Sequence, residues 1–590
     1  MLFILSEVTE IEMRYSKHIE VFLWIVIVVT AFPIFAGGKD ESKLPERVKI
    51  IQTEDGSETK SSSVEGEVVG IDKDFYILKV DGEIKKVPWK NVRRIDGFIN
   101  SGDMLDSSAK KNPSSTQPIS TTGTRSVIVS RIFDDLSSRF MTYSQRELLV
   151  VFIVDNSPSL QDDRQVIGNE IDRIINLVGN RKVINTAVIG LNEQPVLKLS
   201  LTRDMALAKQ AIQELGTKGS GTENVMAALE FSCRTFINPN MKKIFIVVTD
   251  EKGDDANKVE AALGLLKKND VTVYVLGGEA TFNMSDGTET YTNYDDKGHT
   301  SSRTVSIDSG KESAFAEIIV AGISCASFYL GKGTDSSLTK SGFGPFELSR
   351  ICQETSGKYY FLKGPSYPAG IIKNYTPDLC SSEEYVKLNK KDTIRSVVTG
   401  ILSEFNEFRK DEWLNNLPYY FFDQATMKNA AQSATKAFAK IKTLIPKMEA
   451  CMAAVDNNKN SSDKRWIANS RFVLGQLYRA AFLLNQYTLC LQNSLNKWDA
   501  SRPPLQKETD EYHAERYVID LDDYRESSPI DKDSDVFISN AVQIFQKIVV
   551  EHSNTPWSLA VQKIMRRPYG FTVKRERIKK SPNYQGGKKY

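Results

Sequence analysis

A doubly wound α/β domain, set in the middle of a multidomain chain, is the fold this sequence predicts. Three near-continuous apolar runs predict it: LLVVFIVD (148–155), KKIFIVVTD (242–250) and VTVYVLG (271–277). Unbroken apolarity marks strands buried on both faces, as in a parallel sheet covered by helices on either side. The connecting segments carry the complementary helical spacing. Ile167, Ile171, Ile174 and Val178 form one apolar stripe, and Ala261, Leu263 and Leu266 lie in another helical segment. NTAVIGL (185–191) and Val196 to Leu199 read as two further strands.

The first run ends in the most informative loop of the chain. Asp155, Ser157 and Ser159 set one carboxylate and two hydroxyls on a tight D-x-S-x-S turn. Function in open α/β sheets sits at the carboxyl ends of strands, so this loop faces the functional rim. Two later loops bring oxygen to the same rim: Thr222 in GSGTENV, and Asp250 after the second run. Carboxylates and hydroxyls are hard donors that suit Mg²⁺, Mn²⁺ or Ca²⁺ and suit zinc or copper poorly.

With these residues the chain resembles the von Willebrand factor type A family over about residues 147–363, where D-x-S-x-S, a Thr and an Asp recur in this order. The resemblance implies an open, Rossmann-like parallel sheet and a metal-ion-dependent adhesion site at Asp155, Ser157, Ser159, Thr222 and Asp250. It also implies a bound divalent cation, Mg²⁺ foremost with Mn²⁺ or Ca²⁺ as alternatives. One coordination position is left open for an acidic residue of a protein partner. Two positions depart from the family pattern. Pro158 stands where Gly is common and stiffens the loop, and Glu251 stands where Gly is frequent and adds negative charge.

After Gly277 the pattern breaks into a polar, turn-rich stretch at about 279–341, too long for an ordinary connection and therefore an insertion. FGPFELSRICQETSGKYYFL then resumes the fold with a helix, a glycine C-cap at Gly357 and a last strand.

The flanks differ in class. Residues 46–95 carry Asp55-Gly56 and Asp81-Gly82 turns between alternating apolar residues, the pattern of five short strands in a small SH3-like β-barrel. Residues 96–145 read as a linker, Ser/Thr/Pro-rich at its centre. Residues 384–500 read as an all-α helical bundle. Its stripes run through Ile394, Val398, Ile401 and Phe405, through Met427, Ala431, Ala434 and Ile441, and through Trp466, Val473, Leu477, Ala481 and Leu484. Pro446 is expected to kink or end a turn of the second. Residues 534–566 repeat a helix–turn–helix plan of tetratricopeptide-like appearance, and 571–590 form a basic tail read as a solvated terminus.

At the other end, Val21 to Ala36 is apolar, preceded by Arg14 and Lys17. It is shorter than the roughly 20 residues of a full span, so residues 1–38 read as a signal peptide or membrane anchor, with Met13 as an alternative start. Either form exports the protein to the periplasm, the cell envelope or the medium, with membrane association through residues 21–36. The order of parts resembles a class of uncharacterised exported bacterial proteins with a type A domain.

Composition narrows function. A net charge of +2 gives no general attraction to nucleic acid. Six scattered cysteines hold no C-x-x-C pair and so no zinc pattern, and Cys451 with Cys490 read either as a disulfide or as buried thiols. With four histidines and no G-x-S-x-G or phosphate loop, general-base capacity is small and no enzyme is expected. The sequence therefore favours a cation-dependent interaction module, with an envelope scaffold acting through the helical region as the alternative.

Overall fold

The computed structural model describes residues 47–53, 61–71, 75–88, 92–99, 121–216, 221–237, 240–283, 287–294, 300–319, 339–409, 420–421, 423–457, 463–496, 512–522, 532–565 and 570–579. The apolar stretch 21–36, the linker centre 103–120 and the last eleven residues lie outside them. Among the described residues no helix is long and apolar enough to cross a membrane.

Five strands come first: β1 (Arg47–Thr53), β2 (Ser61–Ile71), β3 (Phe75–Val80), β4 (Glu83–Pro88) and β5 (Val92–Ile99). They form one antiparallel sheet in the order β4-β3-β2-β1-β5. The β3–β4 turn puts Asp81 and Gly82 at positive φ, as a tight Asp-Gly hairpin requires.

The central domain is built on β6 (Glu147–Asp155), β7 (Val183–Leu191), β8 (Val196–Thr202), β9 (Lys242–Thr249), β10 (Val271–Gly277) and, after a hairpin of β11 (Gly287–Tyr294) with β12 (Thr300–Ile307), β13 (Lys358–Phe361). The six-stranded sheet runs β13-β10-β9-β6-β7-β8. All neighbours are parallel except β7 and β8. The sheet is thus mixed, which corrects the expectation of a wholly parallel one. Only Asn192 to Pro195 separate β7 from β8, and so short a link permits a hairpin but no crossover.

Alternation along the strands splits the core in two. Leu148, Val150, Phe152 and Val154 face one apolar cluster with Ile167, Ile171, Ile174 and Val178. Leu149, Val151 and Ile153 face another, with Leu229, Leu263 and Ile351. Helices Gln161–Glu170, Asp172–Val178 and Met205–Gln213 cover the first face; Val225–Thr235, Val259–Lys268 and Phe346–Glu354 cover the second. The chain leaves β6 for β7 on one side and later returns to β9 on the other, so the strand order reverses between β6 and β9.

Three local expectations change. The end of the stretch read as a linker is a 22-residue helix, Thr121–Thr142, whose Val129, Phe133, Leu136 and Phe140 bury against the first face. Its Ser/Thr-rich start masked that stripe. Ser356, not Gly357, takes the left-handed position after helix Phe346–Glu354, at φ 60°. Gly357 is needed for close approach instead: a Cβ there would lie 1.7 Å from the Val273 carbonyl oxygen. The basic tail begins with a strand, β16 (Gly570–Lys579), paired along β15 (Tyr512–Asp522), which also pairs with β14 (Tyr420–Phe421). Its register sets Glu515 opposite Arg577 and Arg516 opposite Glu576, opposite charges at paired positions.

The C-terminal region is mainly helical: Ser382–Lys391, Thr393–Arg409, Gln424–Asn457, Lys464–Asn496, Lys532–Glu551 and Pro556–Met565. Gln424–Asn457 runs on through Pro446, losing one backbone bond to the exposed Lys442 turn rather than ending there. Cys451 and Cys490 are both buried, and no disulfide joins them.

His552 lies in this helical core, 4% exposed, with Nδ1 2.9 Å from the Tyr375 hydroxyl. Burial, helped by Arg471 and Lys464, holds its pKa down at about 3. The folded state therefore keeps His552 neutral where the unfolded chain, with a pKa near 6.5, takes up a proton. Stability is full above about pH 6.5 and falls as pH drops towards 3, by at most ~1.4 kcal/mol per unit from this group. The urea midpoint is expected to drop between pH 7 and pH 5, and His552→Gln is expected to flatten that drop. An equal drop in both proteins rules out His552 as its source.

Candidate metal centre

The reversal of strand order places the carboxyl ends of β6 and β9 side by side, at the crevice where open α/β sheets hold ligands. Asp155 is the last residue of β6 and is fully buried, and Asp250 directly follows β9. The loop before helix Val225–Thr235 adds Glu223. One carboxylate oxygen from each of Asp155, Glu223 and Asp250 lies within 4.8 Å of the other two.

Each loop is held by backbone contacts. In the first, the Ser157 N–H donates to Asp155 Oδ1 at 2.6 Å, and the Ser157 and Ser159 hydroxyls stand 2.8 Å apart. Pro158 opens a short 3₁₀ turn, Pro158–Leu160, where its missing N–H costs nothing. In the second, the Glu223 N–H donates to Asp254 Oδ2 at 2.7 Å and the Asp254 N–H donates back to the Glu223 carbonyl at 2.8 Å. Asp255 reaches from the third loop to cap helix Val225–Thr235, accepting from Met226 N–H at 3.0 Å and Ala227 N–H at 2.8 Å. The second and third loops are thereby one unit. The Asn224 side chain ties them to the β7–β8 hairpin through the Glu193 carbonyl at 2.8 Å.

Four of the residues read from sequence thus fall into two placed groups: Asp155 and Asp250 in the carboxylate cluster, Ser157 and Ser159 on the loop leaving Asp155. Thr222 is half-buried, next to Glu223. Glu223 is the residue the sequence reading missed. Its only signal was adjacency to Thr222, and a Glu at that spot also suits the first turn of a helix.

Electrostatics fit a cation. Asp155 Oδ2 and Glu223 Oε2 are buried and receive no hydrogen bond. Burial raises the pKa of both groups, and for Glu223 the neighbouring Asp155 raises it further. Glu251 is pushed up to about 7 by burial and then by Asp250 and Asp155. Carboxylates this close cannot all ionise unless positive charge joins them. A divalent cation would supply it, and the donors are all hard oxygen.

Comparison with known proteins gives a family match over this domain. Residues 150–299 match the model of the von Willebrand factor type A domain. Among solved structures, BatB from Bacteroides thetaiotaomicron is 16% identical, covering 36% of this chain and 89% of its own, with a TM-score of 0.23. An aerotolerance-related membrane protein from Bacteroides fragilis is also 16% identical, at 36% and 90% coverage and a TM-score of 0.23. Proximal thread matrix protein 1 from the mussel byssus, with a zinc-occupied MIDAS motif, is 20% identical over 23% of this chain and 36% of its own, at a TM-score of 0.21. No curated protein matches the chain. Type A domains are typically interaction modules rather than enzymes. At residues 150–299, this chain carries a von Willebrand factor type A domain.

Proposed function

We propose that this is an exported cell-envelope protein whose type A domain binds a divalent cation and uses it to engage a protein partner. The ligands are Asp155, Ser157, Ser159, Thr222 and Asp250, with Glu223 joining them, and Mg²⁺ is the first candidate. The partner contributes an acidic residue to the remaining coordination position, a charge-assisted contact that water replaces only in part. The observation that carries this reading is the convergence of three carboxylates, two of them buried and Asp250 half-buried, at the switch point of the sheet. Export is supported by the apolar stretch 21–36, with an SH3-like unit at 46–95 following it.

A scaffold role through the helical region is the second reading. It is favoured by the buried ion triad in which Arg465 of helix Lys464–Asn496 meets Glu312 and Glu317 of the insertion. Capture of partners from envelope extract separates the two. The adhesion reading expects capture by the full chain to be lost with EDTA, restored by Mg²⁺ and weakened by Thr222→Ala at unchanged melting temperature. Capture indifferent to all three treatments assigns the interaction to the helices and leaves the cation a structural part.

A further inference from the structure

We propose that Arg164 is the positioning residue of the cation loop, holding Asp155 and Ser157 in ligand geometry before any cation arrives. This rests on the reading of Asp155 and Ser157 as ligands. Arg164 belongs to helix Gln161–Glu170 and is 1% exposed. Its Nη1 donates both to the Asp155 carbonyl at 2.9 Å and to the Ser157 carbonyl at 2.8 Å. One nitrogen therefore brackets Asn156 and fixes the backbone on both sides of it. The Ser157 N–H bond to Asp155 Oδ1 closes the same turn from within. Together the three bonds fix the backbone from which the Asp155 and Ser157 side chains project.

A buried guanidinium is an expensive way to cap two carbonyls, and apolar packing has no use for it. The acidic neighbours Asp155, Asp163 and Asp250 compensate its charge. Arg164 thus has two separable properties at this site, and they act in opposite directions. Its positive charge repels an incoming cation, whereas its grip on the loop removes the ordering that binding otherwise requires. The bracket dominates, because two short hydrogen bonds act directly on the segment bearing the ligands.

The opposed signs make the test decisive. Mg²⁺ and Mn²⁺ affinities are measured by calorimetry on the full chain, as wild type, Arg164→Met and Arg164→Lys. Melting temperature and amide hydrogen exchange over residues 156–159 are recorded without cation. Positioning expects Kd to rise by about 10–100-fold in Arg164→Met, the range for residues that orient metal ligands. It also expects a smaller rise in Arg164→Lys, which keeps the charge but ends one bond too short to hold both carbonyls from its single nitrogen, and faster exchange in both. Unchanged or tighter binding in Arg164→Met, or full affinity in Arg164→Lys, overturns the proposal. If Arg164→Met does not fold, Arg164→Lys decides alone. If the wild type binds neither cation, the metal reading fails while the exchange measurement still judges the bracket.

Discussion

Asp155→Ala is expected to lower divalent-cation affinity by more than the ~10–100-fold that changes to ligand-orienting neighbours cost. The residue is fully buried, ends β6 and supplies one of three carboxylates that meet within 4.8 Å. Asp155→Asn is the sharper variant, since its side-chain oxygen still accepts from the Ser157 N–H while the charge is gone. In the wild type, cation at 100 times Kd is expected to stabilise the folded form by about 2.7 kcal/mol through mass action. Both variants should lose that cation-induced rise in melting temperature. Without cation they are expected to melt no lower than the wild type, because removing one carboxylate relieves the crowding that raises Glu223. Equal Mg²⁺ affinity in wild type and Asp155→Asn, by calorimetry, removes Asp155 from the site.

Arg465→Met is expected to be the most destabilising single change in the helical region, by about 3–5 kcal/mol. Arg465 Nε lies 2.6 Å from Glu317 and its Nη2 lies 2.9 Å from Glu312, with both carboxylates fully buried. Asn469 donates to Glu317 at 3.0 Å and accepts from the buried Trp557 indole at 2.8 Å, while Asn283 donates to Glu312. Two carboxylates share one guanidinium. Burial accordingly raises the Glu317 pKa despite Arg465, while the two Glu carboxylates hold the guanidinium charged. Removing the cation leaves both acids buried without a counter-charge. Adding Glu312→Gln and Glu317→Gln to Arg465→Met is expected to recover much of the loss, as uncharged replacements of buried ion groups do. Trp466 and Trp557, both buried beside the triad, report the unfolding by fluorescence. A loss below about 1 kcal/mol in the single variant would falsify the burial argument, since it matches an exposed ion pair.

The sequence by itself determined the parts whose physical signal is local. Strands β6, β9 and β10 were legible because burial on both faces demands continuous apolarity. Stripes such as Ile167 to Val178 were legible because one helical face meets a sheet. Asp155 and Asp250 were legible because hard oxygen at strand ends is chemistry rather than packing. Tertiary structure alone decided whatever depends on a distant partner. Glu223 looks like an ordinary helix-start residue until the switch point brings its loop to Asp155 and Asp250. Arg164 and Arg465 stand in no motif of the sequence, and only the fold buries them against the carbonyls and carboxylates they meet. The strand Gly570–Lys579 resembles a solvated basic tail because its pairing partner, Tyr512–Asp522, lies 48 to 67 residues upstream. Periodicity records which face of an element is buried; it does not record which charged group waits on the other side, because that depends on chain segments far apart in sequence.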